Sequence, residues 1–215
     1  LIMRRKRDIT EVVRIGSLGL NLILPKVKAH LMSLPEDDKY KRFYTPVTEA
    51  FIDRYLSGIT LDARGDAVFV VYDDGGEDVV GMCHVAVTGS GVTRSAELAL
   101  SVSDDYRHRH IGIDMLERAI LHCNTLGITK VFMYCLKSNT AMQHMAKKLN
   151  MKVVTDYDES VGTLELAEGK VPAAIAEALT VDTVAMFDLG YRQMVNTASH
   201  MFAAALTPFT YKSQE

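Results

Sequence analysis

The chain of 215 residues is long enough for one domain of about 150–170 residues with an appendage, or for two small domains. Its composition, 48% hydrophobic and 24% charged, is typical of a globular protein. The formal net charge of -3 gives no reason to expect a nucleic-acid partner, because nucleic-acid-binding domains are generally basic. The basic cluster at residues 4–7 is interpreted as a solvated tail.

The cysteines and the hydropathy of the sequence indicate the cellular compartment of the protein. Cys83, Cys123 and Cys135 each lie in an apolar run without metal-ligand spacing, which predicts buried thiols in a reducing compartment. No apolar run approaches the roughly 18 residues of a membrane-spanning helix, and no signal-peptide core follows the basic N-terminus. We therefore predict a cytoplasmic protein.

The first predicted elements are two helices and a strand meander. A helix is expected over residues 25–34, with Pro25 in its first turn. A second follows Thr48, carries an apolar stripe, and ends at Gly58. Three strands over residues 67–72, 79–87 and 93–102 are then joined by glycine-containing turns.

Residues 96–112 carry the main functional signal. An alternating strand leads into the basic loop Tyr-Arg-His-Arg-His, and a helix begins near Gly112. Unsatisfied N–H groups and the dipole of a helix N-terminus favour anions, and Arg107 and Arg109 would add donors for phosphate oxygens. The sequence therefore predicts a pyrophosphate site.

Further elements continue the pattern. The helix ends at Gly127, and residues 130–136 are predicted to form a buried strand, parallel to the third strand at the ligand end. A helix with a Thr140–Gln143 capping box and strands over residues 152–155 and 161–166 follow. Alanine-rich helices over residues 172–179 and 182–206 would pack on their own domain or form a homodimer seam.

Three stretches resemble a known family. Arg107-x-x-His110-x-Gly112 resembles the acyl-CoA loop of GNAT N-acetyltransferases, Q/R-x-x-G-x-G/A, but places histidine at the middle glycine. Residues 139–151 are similar to that family's Asn…Lys-Leu-Gly-Phe segment, and the likeness spans residues 34–168. The stretch at residues 34–43 resembles the entry segment of bacterial protein lysine acetyltransferases that act on acetyl-CoA synthetase.

The resemblance implies a mixed α/β GNAT fold, a twisted sheet flanked by helices. The acetyltransferase domain would cover residues 34–168, between an N-terminal segment with a helix (1–33) and a helical extension (171–215). The implied activity is transfer of acetyl, or another short acyl group, from acetyl-CoA to a primary amine. The subgroup points to a protein lysine as acceptor.

The resemblance also implies the cofactor contacts. Backbone groups of the strand would pair with the pantetheine arm at Leu100, Ser101 and Val102. The loop and the start of the helix would hold the phosphates through Arg107, His108, Arg109, His110, Ile111, Gly112 and Ile113. Asn139 would contact the pantetheine arm or only cap its own helix.

Glu97 is the expected general base, because the matching glutamate has that role in the subgroup. Desolvation inside the apolar strand would make its carboxylate more basic. A backbone N–H of the same strand, near Leu98 to Leu100, would stabilise the oxyanion. The general acid stays open: Ala146 occupies the family's tyrosine position, Tyr134 or Ser138 would substitute, or the thiolate leaves unaided.

Two other functions stay open. His110 and Ala146 also fit a CoA-binding regulatory module without catalysis, and an acidic late loop at residues 156–159 hints at a small-molecule amine acetyltransferase. His108 and His110 are interpreted as phosphate contacts or exposed side chains and not as a metal pair, since no third ligand lies near them in sequence.

Overall fold

A seven-stranded mixed sheet forms the centre of the structure, a computed structural model that describes residues 11–59, 61, 65–90 and 93–166. The strands are β1 (Val13–Ile15), β2 (Ala67–Tyr72), β3 (Val79–Thr88), β4 (Ser95–Val102), β5 (Lys130–Leu136), β6 (Lys152–Asp156) and β7 (Glu159–Glu165). Their order is β1-β2-β3-β4-β5-β7-β6. The helices are α1 (Ser17–Ser33), α2 (Glu36–Phe43), α3 (Glu49–Ser57), α4 (Ile111–Thr125) and α5 (Thr140–Lys148).

The pairing of β4 with β5 is the feature that shapes the sheet. These two strands are parallel, and all the other neighbouring strands are antiparallel. Their ladder joins only Ser95–Glu97 to residues 130–132, so within the described strands the remainder of β4 has no partner on that side. The prediction of parallel neighbours is confirmed, but the pairing lies at the start of the strands and not at the ligand end.

Apolar side chains cover both faces of the sheet. On one face, Leu98 and Met133 pack with Met115 and Leu116 of α4 in a fully buried cluster. On the other, α1 packs against α3 and β3, and Leu31 and similar residues are buried. Burying each such side chain stabilises the fold by about 1.5–3 kcal/mol. β2 has an uninterrupted apolar sequence because both of its faces are covered.

Two helices differ from the sequence prediction. α1 begins at Ser17, eight residues before the predicted start, so that Pro25 lies inside the helix. α2 was not predicted as a helix, because EDDKYKRF has no apolar stripe. Acidic residues in its first turn and basic residues in its last turn, including Arg42, complement the helix dipole and stabilise it. The short edge strand β1 was also missed.

Other predictions are confirmed in detail. β2 and β5 have the predicted bounds, and the Thr48 hydroxyl caps α3 by accepting a hydrogen bond from the N–H of Phe51. The three cysteines are buried free thiols, and burial raises the pKa of Cys83 and Cys123 to about 12. The prediction that β5 is buried on both faces is wrong, because its residues alternate between buried and more exposed positions.

The predicted helices over residues 172–206 and the basic cluster at residues 4–7 lie outside the described residues. Among the described helices, none combines the length and hydrophobicity needed to cross a membrane.

Candidate active site

A cleft of about 750 Å³ opens where β4 and β5 diverge. Its walls come from α2, β4, the loop before α4, the first turn of α4, β5 and α5. The predicted site residues that line it are Glu97, Leu100, Ser101, Val102, Arg107, His108, His110, Ile111, Gly112, Ile113, Tyr134 and Asn139. Arg109 and Ser138 are not among the lining residues, and both are exposed.

The end of the cleft at α4 has the geometry of an anion site. His110 is the residue before the helix and has a left-handed backbone, with φ of 69°, which glycine adopts at least cost. Its side chain makes no capping hydrogen bond, so the N–H groups of Ile111, Gly112 and Ile113 keep the unsatisfied donors of a helix start. A negatively charged phosphate would fit here.

Gly112 allows close packing at the same end. A β-carbon on this residue would lie 3.0 Å from the Met145 sulfur and 3.3 Å from a methyl group of Leu100. The glycine therefore lets α4 approach both β4 and α5, and this approach brings the helix N-terminus to the end of the divergent strand.

The two arginines of the loop are placed differently, and Arg107 has acceptors within the protein for its donors. Arg107 donates from Nη2 to Asp38 at 2.7 Å and from Nε to the Val102 carbonyl at 3.2 Å, and its Nη1 pairs with Asp104 at 2.6 Å. The guanidinium of Arg109 stacks on the Tyr106 ring, with its carbon 4.8 Å from the ring centroid. Arg107 thus fixes the loop, and Arg109 lies outside the cleft.

Glu97 stands at the fork between the strands. It forms the last parallel pair with Phe132, and the unpaired edge of β4 begins at the next residue. The expectation that the strand desolvates this carboxylate is wrong, because Glu97 is exposed on the cleft wall. Exposure leaves it accessible to an acceptor or to a water molecule.

The cleft at the sheet fork thus combines an unpaired strand edge with a helix N-terminus at one end. Residues 29–151, more than half of the chain, match the family model described as "Acetyltransferase (GNAT) family". The chain belongs to the GNAT acetyltransferase family. The predicted fold class, the assignment as an acetyltransferase and acetyl-CoA as cosubstrate are thereby confirmed.

Solved GNAT structures share the fold at low sequence identity. The GNAT domain of S. lividans PAT is 16% identical, with a TM-score of 0.59, and the match covers 73% of this chain and 90% of that one. A phosphinothricin acetyltransferase from Sinorhizobium meliloti in complex with AcCoA is 16% identical, with a TM-score of 0.56 and coverage of 76% and 93%. A ribosomal-protein-alanine N-acetyltransferase from Brucella melitensis is 14% identical, with a TM-score of 0.53 and coverage of 73% and 99%.

At the position where GNAT enzymes usually carry a tyrosine, this chain has Ala146, a residue of the hydrophobic core. Ala146 is 3% exposed and lies in the cluster under the sheet, where a β-carbon on Gly162 would be 3.2 Å from its methyl group. Asn139 caps α5, since its side chain accepts from the N–H of Met142 at 3.2 Å, and it also lines the cleft. The predicted Thr140–Gln143 capping box is wrong, because Gln143 donates to the Lys137 carbonyl instead.

Three tyrosines, Tyr44, Tyr106 and Tyr134, line the cleft, and the ring of Tyr106 is stacked with Arg109. Tyr134, predicted from the sequence, is 45% exposed. Tyr44, which no sequence motif singles out, follows the last residue of α2 in a left-handed conformation. Burial, followed by the nearby Cys135, Glu159 and Glu97, raises the pKa of Tyr44 to about 12, so its hydroxyl keeps its proton at neutral pH.

Buried polar groups behind β4 were also missed by the sequence analysis. His30 of α1 lies between two serine hydroxyls, 3.0 Å from Ser101 Oγ and 3.1 Å from Ser103 Oγ. Desolvation, and then the charge of Arg42, lowers the pKa of His30 to about 4. The neutral imidazole therefore connects β4 to α1 through these hydrogen bonds, along the cleft.

The sequence also raised a histidine metal pair and an acidic late loop. Among the described residues, no group of three or more histidine, cysteine, aspartate or glutamate side chains could hold a metal ion. Asp156 ends β6, Asp158 lies in the turn, and Glu159 begins β7; none of them lines the cleft, and Glu159 lies near Tyr44.

Proposed function

We propose that this enzyme transfers the acetyl group of acetyl-CoA to the Nζ of a protein lysine, with Glu97 as general base. The observation that carries the proposal is the fork in the sheet. It puts a carboxylate, an unpaired strand edge and a helix N-terminus along one cleft. The entry segment at residues 34–43 supports the lysine acceptor, because it resembles that of the protein lysine acetyltransferases.

The chain's own groups would hold acetyl-CoA in the following way. The N–H groups of Ile111, Gly112 and Ile113 would bind the phosphates. The backbone edge from Leu100 to Val102, which among the described strands has no partner on the β5 side, would pair with the pantetheine amides, although the Val102 carbonyl already accepts from Arg107 Nε. The Asn139 side chain lines the same cleft. Bound there, acetyl-CoA supplies an activated acetyl thioester.

Glu97 would take a proton from the acceptor ammonium, directly or through a water molecule, so that the neutral amine can attack. The acceptor nitrogen then forms a bond to the acetyl carbon, the carbon–sulfur bond breaks, and the nitrogen releases its second proton to water to become the neutral amide. A backbone N–H near Leu98 would donate to the thioester oxygen as negative charge develops on it. The departing sulfur takes a proton from solvent or from a cleft phenol, Tyr134 or Tyr44.

The test is an acetylation assay that offers lysine peptides and small primary amines to the purified protein with acetyl-CoA, read by mass spectrometry. We expect a mass increase of one acetyl group on lysine Nζ. Acetylation of small amines alone would support the small-molecule alternative. Binding of acetyl-CoA without acetylation of any acceptor would overturn the proposal and favour a regulatory module.

A further inference from the structure

Arg42 is a cleft residue whose charge the protein leaves unbalanced. It is half-buried, and within the described part of the chain none of its contacts is to a carboxylate. Its Nη2 donates to the Tyr55 hydroxyl at 2.9 Å, and its guanidinium lies over the rings of Phe43 and Tyr55. Its Nε is buried and has no hydrogen-bond partner.

Neighbouring cations of the cleft are in different surroundings. Lys41 pairs with Asp37 and Asp38, and Arg107 pairs with Asp38 and Asp104. Lys148 is exposed and is therefore solvated by water. A partly buried guanidinium with only uncharged partners loses hydration without gaining a counter-charge.

The groups behind Arg42 cannot balance its charge. The Tyr55 hydroxyl lies 3.1 Å from Nδ1 of His84, whose Nε2 is a second buried atom without a partner. Desolvation, followed by the charge of Arg42, lowers the pKa of His84 to about 4, so this imidazole is neutral at neutral pH. The network therefore positions the guanidinium and leaves it as a cation.

We propose that Arg42 binds a carboxylate carried by the acceptor, so that the enzyme prefers primary amines with an anionic group nearby. This inference rests on the proposed function, because it concerns the acceptor of the same cleft. Glu97 and Arg42 both line the cleft and form no salt bridge with each other. An acceptor with an amine for Glu97 and a carboxylate for Arg42 would complement both charges, and a planar guanidinium suits a carboxylate.

The acceptor's carboxylate has two sources, an acidic residue beside the lysine in a peptide or the carboxylate of a free amino acid. The experiment therefore uses two matched pairs of acceptors. One pair is a lysine peptide with a neighbouring aspartate or asparagine, and the other is a free amino acid and its amide. We expect the carboxylate member of one pair to have a kcat/KM about tenfold or more above its partner, and the pair that shows it identifies the source.

Variants of the protein test whether Arg42 causes the preference. Arg42→Gln should reduce the ratio of kcat/KM between the acidic acceptor and its neutral partner to about one. Arg42→Lys should keep only part of this preference, since an ammonium keeps the charge but lacks the paired N–H donors of a guanidinium. Lys41→Gln is the matched control, because Lys41 is the adjacent cation but is already paired, and it should retain the ratio. Melting temperatures identify variants that fail to fold, and the acceptor pairs test the unmodified protein in any case.

Each outcome decides the inference. Equal rates for both members of both pairs would overturn it and leave the proposed function standing. A loss of kcat in Arg42→Gln that is equal for acidic and neutral acceptors would also overturn it, and would assign Arg42 to the transition state instead. Failure to acetylate any acceptor would overturn the proposed function, and the inference with it.

Discussion

The guanidinium of Arg107 donates to the carboxylate of Asp38 at 2.7 Å and so ties the loop before α4 to helix α2. The ion pair is only partly exposed, with side-chain exposures of 36% and 19%. The ion pair therefore connects the loop before α4, which would hold the phosphates, to the α2 wall of the cleft, which carries Arg42 and Tyr44. We infer that the pair sets the width of the cleft.

Breaking this ion pair should weaken acetyl-CoA binding through the loop. Arg107→Gln and Asp38→Asn should each raise the Kd by about three- to tenfold, and the double variant should be little worse than either alone, because both remove one interaction. Arg109→Gln should change the Kd much less, since Arg109 is exposed and does not line the cleft. Calorimetric titration measures all four. Fully additive losses for the pair would mean that Arg107 contacts phosphate directly.

His110→Gly should leave acetyl-CoA affinity unchanged or increase it. The substitution removes a left-handed non-glycine residue, whose backbone costs about 1 kcal/mol or more, and opens the approach to the helix N-terminus. His110→Ala is the companion variant, because it removes the imidazole but keeps the β-carbon. Affinity that drops sharply in both variants would show that the imidazole binds the ligand.

The stability of the protein should fall as the pH falls from 6.5 to about 4. His30 in the folded protein has a pKa lowered to about 4, whereas its ordinary value is 6.5. The unfolded chain therefore takes up a proton in this window and the folded protein does not, so the free energy of unfolding declines with falling pH and then levels off. His30 alone accounts for up to about 3 kcal/mol, and His84 acts in the same direction.

Urea unfolding at several pH values measures how the free energy of unfolding changes with pH. His30→Gln should flatten the dependence of the free energy of unfolding on pH, whatever its effect on stability at neutral pH. A His30→Gln variant with the parent's slope would show that other groups dominate the pH dependence.

The cleft phenols should affect turnover more than cofactor binding. Tyr44→Phe or Tyr134→Phe should lower kcat by about tenfold if its hydroxyl protonates the leaving thiolate, with little change in the Kd of acetyl-CoA. Ser138→Ala is the control, because Ser138 does not line the cleft. If both phenylalanine variants keep the parent's kcat, neither Tyr44 nor Tyr134 is the general acid.

Much of the sheet could be predicted because its signals are local. The uninterrupted apolar runs of β2 and β5 fixed the bounds of both strands, and the alternation before the basic loop located β4. Glu97 could be placed at the cofactor strand because the family motif follows it directly along the chain.

The remaining features depend on contacts between distant residues. Asp38, which takes up Arg107, is 69 residues away in sequence, and His30 is 71 residues from Ser101. α2 has a charged sequence that predicts no buried face, and it forms a cleft wall through packing against β4 and β5. Arg42 lies within the entry segment at residues 34–43 that the resemblance covers, but its buried, unpartnered Nε is visible only in three dimensions.

The most direct test of the proposed mechanism is a comparison of Glu97→Gln with the parent enzyme on one lysine peptide. The acetyl-transfer rate of the variant should be about 10²–10⁴-fold lower, the usual contribution of a general base. Its Kd for acetyl-CoA, measured by calorimetry on the same preparation, should change by less than about tenfold, because the carboxylate acts on the amine and not on the phosphates. A variant with the parent's rate would contradict the role of Glu97 as the base.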